Sequence, residues 1–330
     1  MKKIKFIFTA AIVFFSGLNF SSAQTIKIGT IAPKGSVWHN ALRDMAEEWK
    51  NVSNGKIQVQ LYAGGVAGDD LDMVRKMRIN QLQGAALTGH GLASIVKEIG
   101  IFQLPMLVRS DEELDYTLQR LAPKFNADME EKGFKLLYWS EIGWVYLFSK
   151  TKVTKPADLK TLKMWVWSGD PSWTDAIKNA GYKPVALPPT EIHTGLSSGL
   201  IETVSAPPVA ALSYQWFGLA DNMLSMKWAP LTAAVVISKK TWDKIPRDLQ
   251  PKILLAAVRA GTKAKEEIRK LESEAIKSMQ GYGLKVTKID TTTTKEWENE
   301  IQSVFPQIIG NAIPTDIYKE VVEILKDFRK

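Results

Sequence analysis

Between residues 25 and 88 the sequence switches four times between two hydrophobic periods, and this switching restricts the fold more than any other feature. In TIKIGT, at 25–30, apolar side chains alternate with others, which is the period of a strand buried on one face. Beyond Pro33 and Gly35, Ser36 stands where a helix cap belongs, and 37–52 takes up the period of an amphipathic helix. Asn54-Gly55 then turns the chain into a second strand over 56–62. That order predicts a parallel strand pair joined by a right-handed crossover. A helix over 71–80 and a short apolar strand over 84–88 follow, so the opening third reads as an open α/β sheet.

The remainder repeats the same vocabulary. A helix is predicted over 111–132, stopped by Gly133, and strands over 134–139 and 145–149. A second α/β unit opens with LKMWVWSGDPSW at 162–173, where Trp165 and Trp167 lie two apart on a strand and share one face. Thr190 is placed to cap a helix that runs to Ser198 and stops at Gly199, and a strand over 201–206 ends at Pro207-Pro208. The apolar run 232–238 is expected to return to the first sheet. One long helix follows, over 247–281, with Pro251 in its first turn and Gly281 and Gly283 at its end. A short strand and two helices complete the chain.

Composition narrows the setting. Lys2, Lys3 and Lys5 precede an apolar run over 6–15, and Ser21-Ser22-Ala23 offers small residues for cleavage, so 1–23 reads as a signal peptide and the mature chain as periplasmic. The chain has no cysteine, which excludes disulfides, thiolate metal sites and a lipid-anchoring thiol. A formal charge of +8, interleaved with acids rather than clustered, gives no footprint for nucleic acid. Eleven tryptophans in 330 residues ask instead for large apolar surfaces to cover, in a core or around a ligand.

In open α/β sheets ligands collect outside the carboxyl ends of the strands. Here those ends are the loops 32–38, 64–70 and 88–92, which carry Trp38 and His90. Trp144, Tyr146 and Phe148 alternate, and so are expected on one face, as a cleft wall or a hinge core. Gly195-Leu196-Ser197-Ser198-Gly199 matches the serine-hydrolase pattern, but a helix precedes it and a strand follows, the reverse of that elbow. All three histidines also come earlier in the chain, so it reads as a chance match. Asp69, Asp70 and Asp72 lack a calcium-loop spacing and read as acids at a helix start. No metal or other cofactor is expected.

IAPKGSVWH, AGGVAGDD, the run from PMLVRS through KTKVTKPADLKTLKMWV, and PTEIHTGLSSGLIETVSAP together resemble the solute-binding proteins of tripartite ATP-independent periplasmic (TRAP) transporters. The resemblance implies a two-lobed periplasmic binding protein fold, with hinge strands and a helix spanning both lobes. Lobe I would comprise 24–146 with 230–246, lobe II 147–229 with 282–330, and the long helix 247–281. It also implies a binding protein rather than an enzyme, with TRAP membrane subunits as partners. Family members usually carry an arginine two residues after the lysine of the 162–167 strand, where it clasps a substrate carboxylate. Here Lys163 is followed by Trp165, and Ala206 stands before Pro207 where the family tends to place an asparagine.

Neither indole nor methyl replaces a guanidinium fork, and a buried acid without one would be left desolvated and unpaired. An apolar group against indole gains about 25 cal/mol per Å² removed from water. The expected ligand is therefore hydrophobic or amphipathic, held by Trp165, Trp167, Trp144, Tyr146, Trp38, His90, Ala206, Pro207 and Trp216. The missing arginine also resembles the subgroup that works with a periplasmic tetratricopeptide-repeat partner. The alternatives are a small organic acid held by a replacement cation, Lys163 or His90, and a periplasmic hydrolase acting through Ser197.

Overall fold

The computed structural model describes residues 23–330, so the expected signal peptide, apart from Ala23, lies outside the described residues. The first sheet is built from β1 (Gln24–Thr30), β2 (Ile57–Tyr62), β3 (Gly84–Thr88), β4 (Phe134–Trp144) and a late strand, Pro230–Ser238. The second contains β5 (Tyr146–Ser149), β6 (Lys163–Trp167), β7 (Lys183–Leu187), β8 (Thr203–Ala206) and β9 (Asn222–Leu224). The late strand is β10, and β11 (Lys285–Thr287) completes the second sheet. The orders are β2-β1-β3-β10-β4 and β11-β9-β5-β8-β6-β7, with helices packed around both, the mixed α/β class that the sequence predicts.

β1 pairs in parallel with both β2 and β3, as the opening βαβ pattern requires. Ser36 caps the helix Val37–Val52 by accepting from the His39 amide. β10 returns to the first sheet as expected, running antiparallel between β3 and β4. Its center carries Ala234, Val235, Val236 and Ile237, each nearly free of solvent contact, as suits a strand covered on both faces.

β4 differs from its expected end at 139 and continues to Trp144. The segment SEIGW falls between the two expected strands, because a carboxylate and a glycine interrupt the apolar pattern. In the fold β10 supplies the ladder, pairing Thr232 with Glu141, and an arginine of the long helix neutralizes Glu141. Only Val145 separates β4 from β5, and it bonds through its amide and carbonyl to Ala229 and Trp228 at the return crossing. The polypeptide therefore passes between the sheets at two adjacent points. Thr190 is another correction: a 3₁₀ turn, Pro189–Glu191, leads into the helix Ile192–Ser198, which has no side-chain cap. The Thr190 methyl packs toward Gly65 instead.

The long helix runs from Gln250 to Gly281, about 48 Å at 1.5 Å per residue. Its amino-terminal part is tied down by the Trp49 indole, which donates to the Ile253 carbonyl at 3.0 Å. Ala257, Ala260 and Gly261 let it approach β4 so closely that a Cβ on Gly261 would lie 2.2 Å from the Tyr138 ring. Farther along, Arg269 bonds Glu141 at 2.8 Å and Asp115 through both terminal nitrogens. Glu272 then accepts from the Tyr146 hydroxyl at 2.9 Å and the Trp144 amide at 3.4 Å. The helix thus follows β4 to the place where the chain leaves the first sheet.

Because Gly261 marks the closest approach, Gly261→Val should overpack it and cost on the order of 1–3 kcal/mol. Urea unfolding followed by tryptophan fluorescence would read this as a lowered midpoint. An unchanged midpoint would mean that the helix does not rest on Tyr138.

Candidate ligand-binding site

A cavity of about 90 Å³ lies between the sheets. From the first sheet it is bounded by Thr30 and Ala32 at the end of β1, Thr88 at the end of β3, Ser140 and Ile142 of β4, and residues of β10. Trp38, on the helix after β1, closes one side. From the second sheet come Trp165 and Trp167 of β6 and Ser205 and Ala206 of β8, followed by Pro207, Tyr214 and Trp216. No Arg, Lys, His, Asp or Glu is among the residues that line it.

The polar points of this wall are mostly occupied. The Trp165 indole donates to the Leu187 carbonyl at 3.0 Å, which spends its N–H within the second sheet. The Tyr214 hydroxyl donates to the Ile31 carbonyl at 2.6 Å and so ties the two halves together, while its ring stacks on Trp216 at 4.6 Å. Trp38 is the exception: its Nε1 is shielded from solvent and has no hydrogen-bond partner. An indole N–H is a donor only, so it calls for an acceptor.

The halves also meet at the rim. His90, just after β3, stacks on Trp167 with ring centroids 4.9 Å apart, and its Nε2 lies 3.1 Å from the Ser168 carbonyl. A carbonyl accepts only, so that nitrogen carries the proton. Burial pushes the His90 pKa below its ordinary value, which keeps the ring neutral. Leu71 fills the space beside Gly169, and Thr190 that beside Gly65.

Of the nine residues singled out from sequence, Trp165, Trp167, Trp38, Ala206, Pro207 and Trp216 line this cavity. His90 does not. It sits behind Trp167, against a second cavity. Trp144 and Tyr146 line neither. The Trp144 indole donates to Asp111 at 2.7 Å, and the Tyr146 hydroxyl goes to Glu272. The expectation treated 144–148 as one alternating strand, whereas the chain changes sheets at Val145, and both side chains bond elements on the helix-covered side. Phe148 is fully buried core.

Tyr214, Ser140 and Ser205 escaped the sequence reading. Ser140 lies in the part of β4 beyond the strand expected over 134–139. Tyr214 precedes Gln215, whose φ of 59° breaks any period that could have flagged it. Ser197 and His193 are both exposed on their helix, so no hydrolytic pair is assembled. Lys163 is exposed, with Nζ on the Gly199 carbonyl at 3.0 Å.

The acidic cluster is structural. Asp69 caps the helix Asp70–Arg78 in a reciprocal box with Asp72, and no group of three metal-binding side chains occurs among the described residues. Asp70 is fully buried and accepts from the Thr88 amide at 3.1 Å and the Thr88 hydroxyl at 2.7 Å. Burial pushes its pKa up to about 6, with the Thr88 bonds opposing the shift. Through Thr88 this carboxyl orders one wall of the cavity.

A cavity enclosed between two α/β sheets, with the chain crossing between them at adjacent points, defines a two-lobed ligand-enclosing protein. The family model for bacterial extracellular solute-binding protein family 7 (DctP) matches residues 28–311, and the chain belongs to this family, that of the TRAP solute-binding proteins. The 2,3-diketo-L-gulonate-binding periplasmic protein YiaO of Escherichia coli is 23% identical over 322 residues, covering 96% of this chain and 97% of that one. The sialic acid-binding periplasmic protein SiaP of Vibrio cholerae is 21% identical, covering 95% and 98%. Among solved structures, the sugar acid binding protein of Advenella mimigardefordensis in complex with galactonate superposes with a TM-score of 0.87 at 19% identity, covering 92% of this chain and 98% of that one. These relatives are binding proteins, not enzymes.

The raised pKa of Asp70 has a defined consequence for stability. A carboxyl that holds its proton more tightly when folded is without penalty below its unfolded pKa, near 3.8, and loses stability as pH rises to about 6. That displacement corresponds to roughly 3 kcal/mol at 1.36 kcal/mol per pH unit. Asp70→Asn should remove this component, so that wild type loses stability relative to the variant between pH 4 and pH 6. Parallel urea titrations across that range would test it; a constant difference would show that Asp70 titrates normally.

Proposed function

We propose that the protein is a periplasmic TRAP solute-binding protein that captures a hydrophobic or amphipathic small molecule between its lobes and delivers it to TRAP membrane subunits. One observation carries the ligand class: the lining of the interlobe cavity contains no ionizable cation. The relatives named above bind sugar acids according to their names, and an acid enclosed in this cavity would lose its hydration with no charged partner in return. Indoles at 38, 165, 167 and 216 favor the opposite cargo, because each apolar surface they cover is removed from water.

The small-acid alternative draws no support from either candidate cation, since Lys163 lies outside the cavity and His90 is neutral and bonded to Ser168. Export rests on the Lys2 to Ala23 segment. A tetratricopeptide-repeat partner rests on Trp165 standing at the arginine position. Co-purification of such a protein from the native periplasm would support that pairing.

Trp38 Nε1 adds a polar requirement, an acceptor at one end of an otherwise apolar molecule. Isothermal titration should show saturable binding of decan-1-ol and none of galactonate or succinate. Trp165→Ala should weaken decan-1-ol at least tenfold. Trp38→Phe keeps ring area but loses the donor, and should cost about five- to tenfold, near 1 kcal/mol for one hydrogen bond. Tight succinate or galactonate binding that survives Trp165→Ala would overturn the ligand class.

A further inference from the structure

A second cavity, of about 210 Å³, adjoins the first. It lies against β6 and the helices Pro171–Asn179 and Thr291–Ile308, and it reaches Gln103 and Pro105 of the first lobe. Trp165, Trp167, Ser205 and Leu231 line both cavities, so the two indoles of β6 form the partition between them. Most of the rear wall is hydrocarbon, including Leu159, Ile177, Ala180, Val304 and Ile308. Protein interiors pack like organic crystals, and two adjoining apolar spaces of this size are not ordinary packing voids.

The partition is not rigid throughout. Trp165 is anchored by its bond to Leu187, whereas Trp167 is half-buried and held by ring contacts, stacked on His90 and tilted against Trp165 at 5.1 Å. A shift of Trp167 would open a passage beside Trp165. A second unsatisfied donor points to the same conclusion: Trp228, on the rear wall, has a buried Nε1 with no partner. Each cavity is thus bordered by a tryptophan whose buried indole N–H lacks a partner, Trp38 in front and Trp228 behind.

Given the reading above that an apolar molecule occupies the front cavity, we propose that its far end passes the Trp165–Trp167 partition into the rear cavity. The cargo is then a long, slender hydrocarbon chain with a neutral hydrogen-bond acceptor near each end, rather than a compact apolar molecule. Each space alone falls below the roughly 300–1,000 Å³ of ordinary small-molecule pockets, whereas a slender chain that passes the partition occupies both.

Chain length is the measurable consequence. Displacement of a bound fluorescent probe by alkan-1-ols from eight to fourteen carbons should show affinity rising about fourfold per added methylene across the whole range. Ala180 lines only the rear cavity, so Ala180→Phe should leave octan-1-ol unchanged and weaken tetradecan-1-ol at least tenfold. Ile177→Trp is the second blocking variant should the first not fold, as judged by its urea midpoint. Dodecane-1,12-diol should bind more tightly than dodecan-1-ol, and Trp228→Phe should abolish that advantage.

A plateau beyond about eight carbons, with the blocking variant indifferent to chain length, would overturn the rear-cavity proposal while leaving the proposed ligand class intact. Binding of no alcohol, together with tight binding of an organic acid, would overturn both.

Discussion

Arg269 carries the interaction on which the arrangement of the two sheets depends. It projects from the long helix between Glu141 of β4 and Asp115 of the helix Asp111–Glu131, and it satisfies both at once. Glu141 is almost without solvent contact, and burial alone raises its pKa, an effect that the Arg269 and Lys265 charges oppose. Burial also works against the Arg269 charge, but Asp115 and Glu141 outweigh it and hold the guanidinium protonated. Buried pairs of this kind add little net stability against an apolar substitute, yet they tolerate only one geometry, because moving either partner strands a charge. Three residues beyond Glu141, β4 ends and the chain enters the second sheet. The helix that holds Glu141 also receives Tyr146 through Glu272, so both sides of the crossing are referred to one rigid element.

With the crossing held, the cleft is defined by what closes it. Tyr214 to Ile31, His90 to Trp167 and Ser168, and Leu71 beside Gly169 are contacts between segments far apart in sequence. They surround a space whose chemistry is set by indoles, alanines and prolines. Asp70, the carboxyl that orders Thr88 of this wall, points away from the space into a fully buried bond with Thr88. Its charge is therefore not offered to a ligand. The same indoles that make the front wall of β6 also shut off the rear cavity, so one short strand governs both spaces.

Much of this was legible in the residues. Helix Val37–Val52, β3, β7 and the return of β10 follow from local periods, caps and breakers, which act within a few residues. Trp165, Trp167, Trp38, Ala206, Pro207 and Trp216 were also legible, through strand-end position or family resemblance. What was misread depends on distant partners. SEIGW at 140–144 is a strand only because β10 and Arg269 exist. Trp144 and Tyr146 leave the cleft because the chain changes sheets between them, and a period of two says nothing about which sheet a residue joins. The short helices Gly89–Ala93 and Pro208–Ser213 are too brief to show any period.

The sequence by itself determined the α/β class and the family, since periodicity and residue identity need no third dimension. Tertiary structure alone decided that no acidic or basic side chain lines the cavity, that His90 stands behind Trp167, and that a second apolar space lies beyond it. Those properties belong to surfaces assembled from both sheets, and burial and adjacency come into being only when the long helix and the two crossings bring them together.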